Sequence, residues 1–344
     1  MNANVETDAG RASEPTTPVP GPSARRRAVV ARLLADGGVV GFLLLLMIGF
    51  SIWLPDTFPT TANAQTILGS QAVPAILALA VVIPLVAGEF DLSVGGTLGV
   101  TAVFTAWASS KGLAVPLVFV SAILVGCFVG AINGFLVTRI RVSAFIATLG
   151  MGTVLTGGNL LMSGGNVLYD GIPQSLLDIA GYQFLGLPVV VYYALALAVI
   201  LWYLLEWTPM GRYLRATGSG REAARLTGVR TDAWLFRAFV IAGAIAAIAG
   251  FLQTARVGSA PPDVGPNFLL PAYAAAFLGA TTIHAGRFNV WGTVVGVLVL
   301  AVGITGLNLA GAAFWVPPVF NGVALILAVS VAVIVARRST SRAA

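Results

Sequence analysis

The side chains of this sequence that could do chemistry are few and widely spaced. Two carboxylates, Glu89 and Asp91, lie in the short polar stretch Ala87-Gly-Glu-Phe-Asp-Leu-Ser-Val-Gly-Gly96 between two apolar runs. His284 is the only histidine and Cys127 the only cysteine. A metal site or an intrachain disulfide needs several such residues, so we expect His284 to be a solvated residue at a helix end and Cys127 a packing residue.

Sequence patterns for nucleotide hydrolysis and for hydrolytic catalysis are absent. Gly218-Ser-Gly220 lacks the lysine of a phosphate-binding loop and follows no predicted strand. The sequence also contains no His-Glu-x-x-His, Gly-x-Ser-x-Gly or Cys-x-x-Cys pattern. We therefore predict a chain that is not an enzyme and binds no cofactor. If ATP drives its activity, the ATP is used by a separate partner subunit.

Asp91 has two interpretations that the sequence leaves open. Its carboxylate can cap a helix beginning at Leu92 by accepting a hydrogen bond from the amide of Ser93 or Val94. Alternatively, the stretch 88–96 is a broken helix whose carboxylates and free amides line a polar path through a membrane.

The amino-acid composition indicates what type of protein carries these residues. Hydrophobic residues make up 58% of the chain, charged residues only 9%, and the mean hydropathy is +0.92. These values predict a multi-pass membrane protein in contact with lipid. The net charge of +6 does not indicate a nucleic-acid partner, because the arginines lie between apolar runs and form no basic stripe.

The predicted fold is an all-α polytopic membrane protein with about ten transmembrane helices and both termini in the cytoplasm. Ten apolar segments are about long enough to cross a bilayer: 38–55, 66–87, 92–110, 114–137, 143–162, 187–207, 238–256, 269–285, 290–309 and 317–336. In this orientation, nearly all of the 19 basic residues lie in the tails or in cytoplasmic gaps, with Lys111 and Arg256 as the exceptions. We expect broken or re-entrant segments near 88–96 and 261–271.

Three regions follow from this topology. Residues 1–36 are proline-rich and polar, which predicts a disordered cytoplasmic tail; the competing interpretation, a signal peptide, lacks a small-x-small cleavage site at the end of its apolar run. Residues 37–337 form the transmembrane domain. Residues 338–344 form a second cytoplasmic tail.

One long polar segment, residues 208–237, interrupts the apolar chain and contains six arginines. Within it Arg221-Glu-Ala-Ala-Arg-Leu226 predicts a short helix between flexible glycines. Such a helix suits contact with a soluble partner, although a basic loop that only fixes orientation is the simpler alternative. The candidate contact residues are Gly211, Arg212, Gly218, Arg221, Glu222, Ala223, Ala224, Arg225, Leu226 and Gly228.

Several stretches together resemble one known family. They are Gly88-Glu-Phe-Asp-Leu-Ser-Val-Gly95, Asn133-Gly-Phe-Leu-Val137, Ala144-Phe-Ile-Ala-Thr-Leu-Gly150, Gly211-Arg-Tyr213 and Glu222-Ala-Ala-Arg-Leu-Thr-Gly228. In this order they resemble the permease subunits of bacterial ribose- and xylose-type sugar ABC importers. The family more often has a small residue where this chain has Glu89-Phe90, which adds a carboxylate.

The resemblance implies a set of partners and a function. It implies a second permease subunit, identical or related, a cytoplasmic ATP-binding subunit with a duplicated ATPase, and a periplasmic or extracellular sugar-binding protein. The chain would then translocate a small polar solute, for which we expect a monosaccharide, and the Glu222–Gly228 stretch would couple it to the ATPase. The resemblance also implies a location in a bacterial inner or plasma membrane. The candidate translocation-path residues are Glu89, Asp91, Ser93, Asn133, Phe145 and Thr148.

Other functions stay open at the level of sequence. Permeases for nucleosides or branched-chain amino acids share the architecture that the resemblance implies. An ion-coupled secondary transporter would need no ATPase, but we would expect it to contain more buried carboxylates than this chain offers. A membrane-embedded enzyme would need clustered reactive groups, which a single histidine does not supply.

Overall fold

The computed structural model describes the backbone of residues 22–283 and 286–340, and the side chains of residues 37–283 and 286–331. The predicted tails therefore lie partly outside the described residues, as does His284. Within them the chain is all-α apart from one hairpin, in which β1 (Gln183–Phe184) pairs antiparallel with β2 (Leu187–Pro188). The all-α prediction is confirmed for this part of the chain.

The helices follow the apolar segments of the sequence. The first part of the chain forms α1 (Pro22–Trp53), α2 (Thr61–Val86), α3 (Ser93–Ser110), α4 (Val115–Phe135), α5 (Ala144–Ser163) and α6 (Gln174–Gly181). A π-helical turn, Leu136–Ile140, extends α4. After the hairpin come α7 (Val189–Trp207), α8 (Pro209–Ser219), α9 (Arg221–Leu226), α10 (Thr231–Val257), α11 (Pro266–Ala280), α12 (Val290–Leu309) and α13 (Val316–Thr340).

Each of the ten predicted spans coincides with one of these helices, but the lengths and polarities differ. Six helices of the described chain are long and apolar enough to cross a membrane: Thr61–Val86, Val115–Ile140, Ala144–Ser163, Val189–Trp207, Thr231–Val257 and Val290–Leu309. Gly37–Trp53 and Val316–Val331 are shorter apolar helical stretches. The multi-pass character is thus established, whereas ten crossings and the side of the termini stay predictions.

Several predicted boundaries differ from the observed ones for local reasons. Helix α1 begins at Pro22, inside the segment predicted as a disordered tail, because alanine, leucine and arginine after Pro22 are good helix formers. The first break covers only 87–92, since Ser93 already belongs to α3. The second ends at Gly265, since α11 continues through Pro271.

The core consists of α2, α3 and α10, which are largely buried by the helices around them. Helix α10 packs so closely on α4 that the Gly126 and Gly243 backbones touch, and a Cβ on either residue would collide with the carbonyl oxygen of the other. Small residues permit this approach where lipid supplies no hydrophobic driving force between helices. Large apolar side chains stay exposed on the outer helices, among them Phe128 and Leu161, as expected for a lipid-facing surface.

Candidate functional site

The break between α2 and α3, residues 87–92, is built by a helix-ending motif. Gly88 has the left-handed φ of +83° that ends many helices. The Gly88 N–H donates to the Leu85 carbonyl at 3.1 Å, and the Glu89 N–H to the Pro84 carbonyl at 3.0 Å. These bonds satisfy the last carbonyls of α2 and turn the chain sharply. Glu89 and Asp91 therefore leave the break in different directions.

Asp91 turns inward and is only 1% exposed. Its Oδ1 accepts hydrogen bonds from the Ser93 N–H at 3.0 Å and the Ser93 hydroxyl at 2.6 Å. The Asn133 side-chain amide on α4 in turn donates to the Ser93 Oγ at 2.7 Å. Asp91 thus makes the amide contact that the capping interpretation requires, and a chain of hydrogen bonds ties the break to α4.

The backbone of the break is held by two further helices. The Asp91 N–H donates to the Tyr273 hydroxyl oxygen on α11 at 3.0 Å, and the Leu92 N–H donates to the Thr148 Oγ1 on α5 at 3.0 Å. We call Asp91, Ser93, Asn133, Thr148 and Tyr273 the polar cluster. Three separate helices, α4, α5 and α11, therefore fix the start of α3.

The polar cluster is deeply buried, and its hydrogen-bonding groups are almost all paired. Asn133 and Thr148 have no measurable exposure. Among the described residues, only the Asn133 Oδ1 of this cluster lies buried without a donor. Buried groups paired in this way rigidify the structure around them, while an unpaired one costs about 1–3 kcal/mol.

The six predicted path residues divide into two groups. Asp91, Ser93, Asn133 and Thr148 come together in the polar cluster. Phe145 does not join them, because it lies off the buried stripe of α5 and is 53% exposed. Glu89 also lies apart, since it turns toward the coupling segment, the name we give to residues 208–237.

Tyr273 was missed by the sequence reasoning, which placed no residue of α11 among the candidate site residues. The sequence feature that could have identified it is the single hydroxyl in the otherwise apolar stretch Pro271-Ala-Tyr-Ala-Ala-Ala276. A buried tyrosine hydroxyl usually has a hydrogen-bond partner. The Tyr273 ring also stacks on Phe90, with the centroids 6.0 Å apart. Phe90 lies close to Phe277 as well, at 6.2 Å.

Glu89 connects the break to the coupling segment. Its Oε1 lies 2.6 Å from the Arg221 guanidinium at the start of α9, and both side chains are about one-quarter exposed, at 25% and 29%. Beside this ion pair the backbones of Gly88 and Gly218 touch, so that a Cβ on Gly88 would lie 3.0 Å from the Gly218 Cα. The break and the coupling segment are therefore in direct contact.

The first part of the coupling segment is anchored on the helix bundle. Leu214 of α8 is fully buried, and Gly211 packs against the Leu205 carbonyl at the end of α7. Arg215 forms an ion pair with Glu206. Helix α8 is thus a surface helix with one buried face and one basic face.

Helix α9 presents only part of its surface to the outside. Glu222 and Ala223 are exposed, and Leu226 is 89% exposed. Ala224, which the sequence analysis placed among the partner-contact residues, is buried against its own chain at 7% exposure. The helix has only six residues, so its pattern did not reveal which alanine faces inward.

Arg225 is engaged within the chain as well. Its guanidinium lies 2.7 Å from the Asp232 carboxylate and donates to the Thr231 Oγ1 at 3.0 Å, both at the start of α10. Asp232 also pairs with Arg141, just after the π-helical turn, at 2.9 Å. A contact with Glu222 is longer, at 3.4 Å. Arg225 and Arg221 therefore hold α9 in place at both ends.

No group of three or more His, Cys, Asp or Glu residues that could hold a metal occurs in the described ranges. The arrangement consists instead of a buried neutral hydrogen-bond network around one carboxylate, linked by an ion pair to a surface helix.

The sequence matches the family model described as branched-chain amino acid transport system / permease component over residues 63–336. The ribose import permease protein RbsC of Escherichia coli (strain K12) is 33% identical over 90% of this chain and 97% of that protein. RbsC of Bacillus subtilis (strain 168) is also 33% identical, over 83% and 89%. The D-allose transport system permease protein AlsC of Escherichia coli (strain K12) is 30% identical, over 86% and 90%.

Proposed function

This chain belongs to the branched-chain amino acid transport system / permease component family, and on that basis we propose that it is the membrane-spanning permease subunit of an ATP-driven importer of monosaccharides. The relatives named for ribose and D-allose import support the choice of a sugar over an amino acid. The chain itself is a non-catalytic transport subunit. ATP is hydrolysed by a partner.

The observation that carries the coupling role is the direct link between α9 and the break. ATP hydrolysis in the cytoplasm can move membrane helices only through a packed contact, and α9 exposes Glu222, Ala223 and Leu226 for such a contact. Leu226 is the large apolar side chain that α9 exposes, and a partner seated on this face would remove it from water. The ATP-binding subunit, which we expect to be a duplicated ATPase, docks on this face.

A displacement of α9 is passed to the break by two contacts. The Arg221–Glu89 pair links α9 to the break directly, and the touching backbones of Gly218 and Gly88 link it to the end of α8, which leads into α9. Partly exposed ion pairs stabilise proteins by only about 0–1 kcal/mol, so the value of this pair lies in its position. Because the break begins α3, the displacement reaches the buried core of the bundle through the polar cluster.

The remaining partners follow from the importer architecture. A second permease subunit, identical or related, completes the transmembrane assembly, and a periplasmic or extracellular sugar-binding protein delivers the solute. The chain lies in the bacterial inner or plasma membrane with both termini in the cytoplasm and about ten crossings. A reporter fused after Ser219 should then read cytoplasmic and one near Asp170 external, as the arginine distribution predicts.

The decisive experiment changes the exposed leucine of α9. We expect Leu226→Asp to reduce co-purification of the ATPase by about tenfold, the equivalent of 1.4 kcal/mol, without changing membrane abundance. The matched control is Leu185→Asp, because Leu185 is 83% exposed in the hairpin far from α9 in sequence. Equal ATPase retention by both variants would contradict the proposed docking face.

A further inference from the structure

A cavity of about 160 Å³ lies between four helices, away from the polar cluster. It is bordered by the N-terminal parts of α2, α11 and α13 and by the C-terminal half of α12. In the predicted orientation these helix ends face the outside, where a solute enters. This volume is well above what one water molecule needs, so the cavity has room for one small solute.

Three carboxamide side chains line this cavity: Gln71 of α2, Asn267 of α11 and Asn321 of α13. The Asn321 Oδ1 is buried and accepts no hydrogen bond from any described residue. Among the described residues, the Gln71 side-chain nitrogen makes one long contact, 3.5 Å to the Ser70 Oγ. A buried amide oxygen left unpaired costs about 1–3 kcal/mol, so the Asn321 Oδ1 indicates a polar occupant.

Two helix-internal prolines add polar groups at the same place. Pro74 of α2 and Pro271 of α11 both line the cavity. A proline lacks the N–H that would bond the carbonyl four residues earlier, which leaves the carbonyls of Ser70 and Asn267 without that donor. Free backbone carbonyls within a membrane are tolerated where they face a cavity.

The rest of the lining is apolar and carries no charge. Phe268, Val297 and Leu300 supply an apolar wall, and the lining residues that the structure describes include no Asp, Glu, Lys, Arg or His. A zwitterionic amino acid would have to bury two charges here without partners, which is costly. A sugar ring suits the cavity, because its hydroxyls can pair with amides and carbonyls while its C–H faces pack on apolar side chains.

We infer that this amide cavity is a binding station for a neutral, polyhydroxylated solute of one sugar ring, held by Gln71, Asn267 and Asn321. The inference rests on the proposed importer function and assigns the solute a place within a single permease chain. It concerns a site separate from the polar cluster, with which its lining shares no residue.

The test uses the purified full-length permease, so that it depends on neither the ATPase nor the binding protein. In a Cys127→Ala background, Ile304→Cys places a thiol in the cavity lining. We expect D-ribose to slow labelling of this thiol by a water-soluble thiol reagent, and L-leucine at the same concentration to leave it unchanged. Asn166→Cys, on an exposed loop, is the control and should label equally in both.

The amide is then removed in the same background. Asn321→Leu should weaken the protection by D-ribose about tenfold in concentration, as expected for the loss of one or two hydrogen bonds. Asn308→Leu, an exposed amide on α12 outside the cavity, should leave protection intact. A thiol at position 304 that does not react, that D-ribose fails to protect, or that L-leucine protects equally would overturn the inference.

The importer function is judged separately from the cavity. Sugar uptake by the assembled transporter without D-ribose protection at position 304 would remove the cavity assignment and keep the importer. Protection without ATP-dependent uptake would remove the importer and keep a sugar-binding cavity.

Discussion

The polar cluster and the coupling segment use polar residues in opposite ways, although they meet at the break. Around Asp91, the polar contacts are hydrogen bonds within a buried network. Along α8 and α9, the contacts between charged side chains are ion pairs that are partly exposed. The first arrangement fixes one geometry, while the second can be re-formed at small cost. The rigid polar cluster is thus joined to a coupling segment whose contacts can change, which the transmission of motion requires.

Glu89 and Asp91 show this difference within three residues. Asp91 points into the bundle and is 1% exposed, whereas Glu89 reaches Arg221 at the surface. The path interpretation gave the two carboxylates one shared role. The left-handed turn at Gly88 separates them, so the break serves the cluster with one side chain and the coupling segment with the other.

The largest effect is expected from removing the Asp91 acceptor. Asp91→Ala leaves the Ser93 amide and hydroxyl buried without their partner, which should destabilise the protein by about 1–3 kcal/mol and lower its membrane abundance. Asp91→Asn keeps an acceptor oxygen and should retain most stability and uptake. Thermal unfolding of the purified protein, with exposed Asp170→Ala as control, measures this. Normal stability with lost uptake in Asp91→Asn would instead favour a path-lining role.

A bulky residue in place of Gly218 should push the coupling segment away from the break. A Cβ there would collide with the Val86 carbonyl, so Gly218→Val must push α8 away from the break at a cost of about 1–3 kcal/mol. We expect ATPase binding to persist while ATP-driven uptake is lost. Gly157→Val is the matched control, because nothing lies within 4 Å of a Cβ at that helical glycine. Full uptake by Gly218→Val would mean that motion does not pass through this contact.

The smallest effect is expected at the Glu89–Arg221 ion pair. Its role is tested by comparing single and double charge-reversal variants. Glu89→Arg and Arg221→Glu should each lower uptake several-fold through like-charge repulsion, with changes in unfolding free energy of only about 0–1 kcal/mol. The double variant should recover most of the uptake, since the pair is restored in reverse. Glu206→Gln, which breaks the neighbouring pair with Arg215, controls for loss of surface charge. A double variant no better than either single one would exclude the pair as the link.

Much of the fold could be predicted because apolar length alone places the helices. Local contacts were also accessible: the bond from the Ser93 amide to Asp91 spans two residues, and a capping argument anticipates it. Contacts between distant residues were not accessible. Glu89 and Arg221 are 132 residues apart, and Asp91 and Tyr273 are 182 apart. Only packing of the whole bundle brings such pairs together.

The sequence could not predict which side chains of α9 are exposed, for a different reason. A helix needs about two turns before its apolar period can be read, and α9 has six residues. Ala223 and Ala224 are therefore equivalent in the sequence, while the structure exposes one and buries the other. The same limit explains Phe145, which was selected for its motif and lies on the outer face of α5.

Two of the bonds that hold the break are donated by the backbone, from the amides of residues 91 and 92 to Tyr273 and Thr148. A backbone amide is present whatever side chain its residue carries. Leu92 can therefore be replaced by other residues of similar size without loss of these hydrogen bonds. Tyr273 and Thr148 cannot be replaced so easily, because their side-chain hydroxyls accept the bonds. Saturation mutagenesis should find that Leu92 tolerates many substitutions, whereas Tyr273 and Thr148 tolerate few. The sequence of the break could then diverge while its backbone geometry is kept.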